Sequence, residues 1–341
     1  ADEIEKKLLE EQPSLRGYKA RAASLLKQKR AEDLLKVIEK AIGQPGGFDE
    51  VQDQIRGILD DPALAEKMLD AGLKLLSADP PGLERGGIQL LGQIAIRTNK
   101  LEKFLPIQRL LVKRNPNPQT YGELIEVLFG LKKYDEGAAL LEEMLKKFPG
   151  ERNPRRLVLL AKAYRQADKP DAAVNAAREA LRLDANDFEA QVQLAVTLSQ
   201  TGKADEAISL LQDAMKRDPA NPGLGGVLGS ILTQRGRNEE ALTLFKGMLE
   251  KFPNNDEVIR TARSNLSIIY VNMGDYAKGE AELEALLERN ADDAGVNNDL
   301  GYLYAEQGKN LEKAEAMIRK AVQEEPDNYA YLDSLGWGLV K

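Results

Sequence analysis

A small residue, with an aliphatic one before it and a bulky one three places after it, returns through this chain about every 34 residues. The clearest copy is NDLGYLYAEQGKNLEKAEAMIRKAVQEEPDN, from Asn298 to Asn328. Leu300-Gly301 opens it, Tyr304 follows one helical turn later, Gly308 marks a turn, Ala314, Ile318 and Ala321 keep helical spacing, and Pro326 stops it. Earlier copies of Gly301 are Ser267, Gly229, Ala195 and Ala161, then Ile125, Gly92, Arg56 and Ala22, and Gly336 continues the series forward. Leu160, Leu194, Leu228, Leu266, Leu300 and Leu335 fill the preceding column, while Tyr164, Leu198, Leu232, Tyr270, Tyr304 and Leu339 fill the bulky one. A helix pair of this length buries its apolar face only against the next pair, so the period dictates stacking.

The columns resemble the tetratricopeptide repeat, two antiparallel helices with small residues where they cross. The resemblance implies an all-α fold, an α-solenoid in which helix pairs build a right-handed superhelix. The expected organisation is one solenoid over residues 1–341, about nine pairs with a half repeat at each end. The pattern is clear over 153–341, looser over 82–150 and degenerate over 1–80. FDEVQDQIRGILDD is short for a repeat helix, and Asp61-Pro62 reads as a helix start with proline in the first turn. Phe104 stands where the pattern prefers alanine, and Pro106 beside it fits only near the start of a helix. The step from Gly229 to Ser267 is about four residues longer than the repeat, which predicts a lengthened first helix or loop around NNDEVIRTARSN. Residues 1–12 read as a second helix without its first and 329–341 as a first helix without its second, as expected of a piece of a longer array.

Composition removes much chemistry. The chain has 0 histidines and 0 cysteines, so it lacks the usual proton shuttle near neutral pH, a thiol nucleophile and the commonest metal ligands. No cofactor is expected. No window approaches the ~18 apolar residues that cross a bilayer. Gly223-Leu224-Gly225-Gly226-Val227-Leu228-Gly229 lacks the preceding strand of a dinucleotide loop, so Gly229 reads as a helix-crossing residue and the other glycines as a loose helix start. Asn254-Asn255-Asp256 and Asp184-Ala185-Asn186-Asp187 lack the glycine and closing glutamate of a calcium loop and read as turns and caps. The formal charge is −7, unevenly spread. Residues 101–170 are positive by roughly five and 255–341 negative by about eight. Nucleic acid is not an expected partner, because no basic stripe with interleaved aromatics is present.

In the family that the repeats resemble, first helices line a concave groove that holds a peptide or a partner helix. Groove positions are those one, four and five residues beyond the small residue and those two and three before it. The column five beyond reads Gln166, Gln200, Gln234 and Asn272, then Glu306. Amides both donate and accept, so such a ladder can hold a peptide backbone without demanding one sequence. Two before lie Gln193, Asn265, Asp299 and Ser334. Trp337, one beyond Gly336, is a candidate anchor for a partner. Lys162 and Arg165 are the nearest approach to the family's carboxylate clamp, without its partner asparagine, which disfavours binding of chaperone tails.

YLDSLGWGLVK also resembles a bacterial subset in which LDSLGW recurs near the end of long envelope-associated arrays. Some members of that subset are outer-membrane lipoproteins that deliver substrates to a periplasmic protease, which implies a bacterial envelope or periplasmic setting. The expected function is a non-catalytic scaffold or adaptor that binds a protein or peptide in its groove. The alternatives are the repeat region of a larger enzyme, with its catalytic domain outside these residues, and an array that self-associates end to end.

Overall fold

The structure, a computed structural model, describes residues 14–340, so the helix expected over 1–12 lies outside the described residues. Among the described residues it holds 20 α-helices, one short 3-10 turn and no strand. The chain divides into two compact units, one ending at Lys169 and the other starting at Pro170. Unit 1 contains α1 (Leu15–Lys27), α2 (Ala31–Ile42), α3 (Gly47–Glu50), α4 (Gln52–Leu59), α5 (Pro62–Ser77), α6 (Arg85–Arg97), α7 (Leu101–Arg114), α8 (Pro118–Gly130), α9 (Tyr134–Lys147) and α10 (Pro154–Gln166). Unit 2 contains α11 (Pro170–Leu183), α12 (Phe188–Gln200), α13 (Ala204–Arg217), α14 (Pro222–Gln234), α15 (Asn238–Lys251), α16 (Asp256–Asn272), α17 (Tyr276–Arg289), α18 (Ala294–Glu306), α19 (Leu311–Glu324) and α20 (Tyr329–Val340). Within each unit consecutive helices pack as antiparallel pairs, the arrangement of an α-solenoid.

Local chemistry sets the helix ends. From α8 onward first helices begin behind an Asn or Asp whose side chain takes orphan backbone N–H groups. Asn153 accepts from the Arg156 N–H at 3.1 Å, Asp187 from Ala190 at 2.7 Å and Asn221 from Gly223 at 3.1 Å, with proline at the first helical position in α10 and α14. Most pairs then turn through a residue with positive φ: Lys29, Asn99 and Lys132 in unit 1, Gly202, Gly236, Gly274 and Gly308 in unit 2, where Asn310 adds a second after Gly308. The next N–H reaches back to the carbonyl of the bulky column, as Lys203 does to Leu198 at 2.9 Å and Lys309 to Tyr304 at 3.0 Å. This six-to-one bond is the Schellman closure, and it satisfies a carbonyl that the helix end leaves unpaired.

Packing follows the columns. An added Cβ on Gly229 would lie 2.2 Å from Phe245 Cζ, and one on Gly301 2.8 Å from Ile318 and 2.9 Å from the Ala314 carbonyl oxygen. Phe104 is buried opposite Gly92, so a large residue on the second helix is matched by none on the first. Pro106 lies within α7, and the helix continues to Arg114. The degenerate stretch resolves into α3, the short α4 and the 16-residue α5, which starts at Pro62 behind Asp61 as expected and packs against both α2 and α7. The columns slip there: Arg56 is exposed, and Gly57 makes the close approach, to Leu26. The long step before Ser267 is a lengthened first helix, for α16 has 17 residues where α12, α14 and α18 have 13.

Candidate functional site

In unit 2 the first helices α12, α14 and α16 enclose an open hollow of about 610 Å³. Its lining includes Val196, Ser199 and Gln200 on α12, and Gly226, Val227, Ser230 and Gln234 on α14. These are one-, four- and five-beyond and two- and three-before positions of two repeats, and of the candidate groove residues Gln200 and Gln234 line this hollow. Phe188, Ile231 and Val258 add apolar surface, and Glu257 is the one charged group of the lining.

Two local departures from the repeat make this hollow. The first is the glycine run of α14. Far from a loose start, it is helical from Pro222. Gly225 admits Met248 and Gly223 admits Phe188, each within 2.8 Å of where a Cβ would stand. Gly226 meets nothing nearer than Thr261 at 3.6 Å, and its missing side chain leaves the floor low. The second is the extra turn of α16. Its Glu257, Val258 and Thr261 form the third wall, and without the added residues the helix would start beyond Glu257 and Val258.

The structure separates the two polar columns. Gln200, Gln234, Asn272 and Glu306 in unit 2 are exposed, as is Gln166 in unit 1, and none of their side chains has a hydrogen-bond or ion-pair partner among the described residues. The column two before is largely held by the chain itself. Gln193 is buried and donates to Glu189 Oε1 at 3.1 Å, Asn265 donates to the Thr261 carbonyl at 2.8 Å, and Ser334 to the Ala330 carbonyl at 2.9 Å. Asp299 is exposed and accepts from Asn298 Nδ2 at 3.2 Å. Its carboxyl is pushed up from the usual range, first by desolvation, as expected for a group that reaches water from within a crowded concave face. Lys162 and Arg165 lie half-buried on α10, where the Arg165 Nε is buried without a hydrogen-bond partner.

Trp337 on α20 is 45% exposed, and its column holds two large residues that sequence reasoning passed over. Ile268 and Tyr302, one beyond Ser267 and Gly301, are 52% and 37% exposed. Their signal was register: each stands where Trp337 stands in its own repeat. Among the described residues no three side chains are grouped to hold a metal ion, and no helix is long and apolar enough to cross a membrane.

The tetratricopeptide repeat family matches residues 111–262, 232–298 and 294–328. The fold agrees. A tetratricopeptide repeat protein from Parabacteroides merdae is similar over 74% of this chain and 97% of its own, with TM-score 0.53 and 15% identity. The Cut9–Hcn1 hetero-tetramer of the APC/C is similar over 95% of this chain with TM-score 0.45 and 19% identity, and this chain spans only 63% of that one. A repeat protein of Thermus thermophilus, TTC0263, is similar over 54% of this chain and 97% of its own, with TM-score 0.41 and 22% identity. No curated protein matches. The stretch from 111 to 328 is thus a run of tetratricopeptide repeats, the class of helical array that generally mediates contacts between proteins.

Proposed function

We propose that this chain is a non-catalytic scaffold that holds an extended segment of a partner protein against the concave face of unit 2, across α12, α14 and α16. One observation carries the reading: two amides without internal partners, Gln200 and Gln234, stand in register on the rim of an apolar hollow. An extended backbone laid across them gains hydrogen bonds at each repeat, while the hollow takes a side chain. The YLDSLGWGLVK resemblance supports a bacterial envelope adaptor, which cell fractionation with an antibody to the chain would test. The central test is site-specific photocrosslinking in the native cell. A crosslinker at Ser230, inside the hollow, should trap a partner that one at Thr243, on the second helix of the same pair, does not. The combined change Gln200→Ala, Gln234→Ala and Asn272→Ala should abolish that product with helicity unchanged. Equal trapping at both positions would overturn the reading.

A further inference from the structure

The first helices of unit 2 are almost without cations. α12, α14, α18 and α20 contain no lysine or arginine. α16 contains two arginines, and both are committed. Arg260 forms a two-pronged bridge to Asp293, the N-cap of α18, at 2.8 and 3.1 Å, and Arg263 binds Glu282 at 2.5 Å. Arg235, just past α14, donates to the Ser199 carbonyl and does not line the hollow. The carboxylates of the same face are differently placed. Glu257 at the hollow and Glu306 in the amide column are exposed and have no partner among the described residues, whereas Asp299 accepts from the Asn298 amide and feels the charge of Arg260. Beside them runs the apolar column Ile268, Tyr302 and Trp337.

Resting on the groove reading above, we propose that the segment held by unit 2 is cationic, with lysine or arginine alternating with apolar or aromatic residues. The chemistry fits such a segment from two sides. Glu257 and Glu306, without countercharges, attract its cations, while the two guanidiniums that the first helices carry, Arg260 and Arg263, are already held in ion pairs. Aromatic faces at Tyr302 and Trp337 take either its apolar side chains or, through cation–π contact, its basic ones. An acidic segment would meet unpaired like charge at Glu257 and Glu306 and is rejected.

The chain's single tryptophan makes the test direct. Three synthetic nine-residue peptides share alternating leucine and phenylalanine and differ in the residues between: lysine, glutamate or serine. Titrated at low salt against Trp337 emission and by calorimetry, the lysine peptide should bind about tenfold or more tighter than the glutamate one. That preference should shrink several-fold at about 0.5 M salt, where charges are screened within a few ångströms. Glu257→Gln with Glu306→Gln should weaken the lysine peptide about threefold or more, and Ile268→Ser with Tyr302→Ser should weaken all three peptides. Removing the same charge from second helices, by Glu239→Gln with Glu312→Gln, should change nothing. If all three peptides bind equally and lose binding in the Gln200→Ala, Gln234→Ala variant, the groove stands and the cationic assignment falls. If that variant binds every peptide as well as the unaltered chain, the groove reading falls with it. Self-association in light scattering that disappears with Glu257→Gln and Glu306→Gln would assign the face to a second copy and overturn the proposal.

Discussion

The turn inside most helix pairs has one backbone and two fillings. In unit 2 its left-handed position is Gly202, Gly236, Gly274 and Gly308, with φ between 66° and 82°. In unit 1 the same position is Lys29, Asn99 and Lys132, with φ between 54° and 57°. Both sets make the same six-to-one closure, Lys133 to Leu128 at 2.8 Å in unit 1 and Arg237 to Leu232 at 2.9 Å in unit 2. The turn is therefore imposed by the packing of the two helices and the carbonyl they leave behind, and glycine only lowers its cost. The concave helices differ in a second way. α10 of unit 1 carries Arg155, Arg156, Lys162 and Arg165, whereas the first helices of unit 2 carry no basic residue outside an ion pair. One fold thus presents two surfaces, because solvent-facing positions are free of the demands that fix the crossings.

The contrast can be broken or sharpened by substitution. The largest effect is expected at the helix crossings. Gly229→Ala drives a methyl into a buried phenyl ring and should cost about 3 kcal/mol in urea unfolding, with partial rescue by Phe245→Leu. Gly92→Ala in unit 1, where Phe104 stands 3.3 Å from the new atom, should cost under about 1 kcal/mol. Equal costs would mean that the crossings are equally tight.

Alkaline stability separates the units next. In unit 1 the Tyr121 hydroxyl donates to Glu143 at 2.5 Å, and its pKa is pushed up to about 12 from 10.0, first by that bond and then by burial. A raised pKa means that the folded state keeps a proton the unfolded chain gives up. This contribution is complete below pH 10.0 and is lost as pH rises through about 12. Melting temperature should therefore fall over that window, and Tyr121→Phe should flatten that part of the profile. An unchanged profile would remove this tie. In unit 2 the Tyr304 hydroxyl donates to Glu284 at 2.7 Å, and its pKa is pushed up first by burial and then by that bond, so its loss belongs at still higher pH.

Exchanging the turn residues gives a smaller effect. Gly236→Ala should destabilise by about 1 kcal/mol, and Lys132→Gly should be neutral or stabilise by up to about 1 kcal/mol. The same sign at both sites would contradict a shared backbone. Smallest are the ion pairs that link the turn of one repeat to the repeat before it, such as Arg237–Asp205 at 3.1 Å and Lys133–Glu102 at 3.2 Å. Asp205→Ala should cost no more than about 0.5 kcal/mol and still less at high salt, since such pairs are solvated.

The beat of small, aliphatic and bulky residues determined by itself that the chain forms stacked helix pairs and where most pairs begin and turn. These are local matters, settled by caps, by 3.6-residue periodicity and by whether a side chain fits between two crossing helices. Even the long step was legible, because about four added residues make roughly one helical turn and leave the later columns in phase. Only the tertiary structure decided that the added turn walls a hollow with Glu257 and Val258, that Gly226 lowers its floor, and that Gly57 takes the crossing Arg56 was expected to make. It also decided that Gln193 and Asn265 are spent within their own helices while Gln200, Gln234 and Asn272 are not, and that Ile268 and Tyr302 stand uncovered. Periodicity names the face a residue occupies, but whether that face is covered depends on a neighbouring helix that lies tens of residues away.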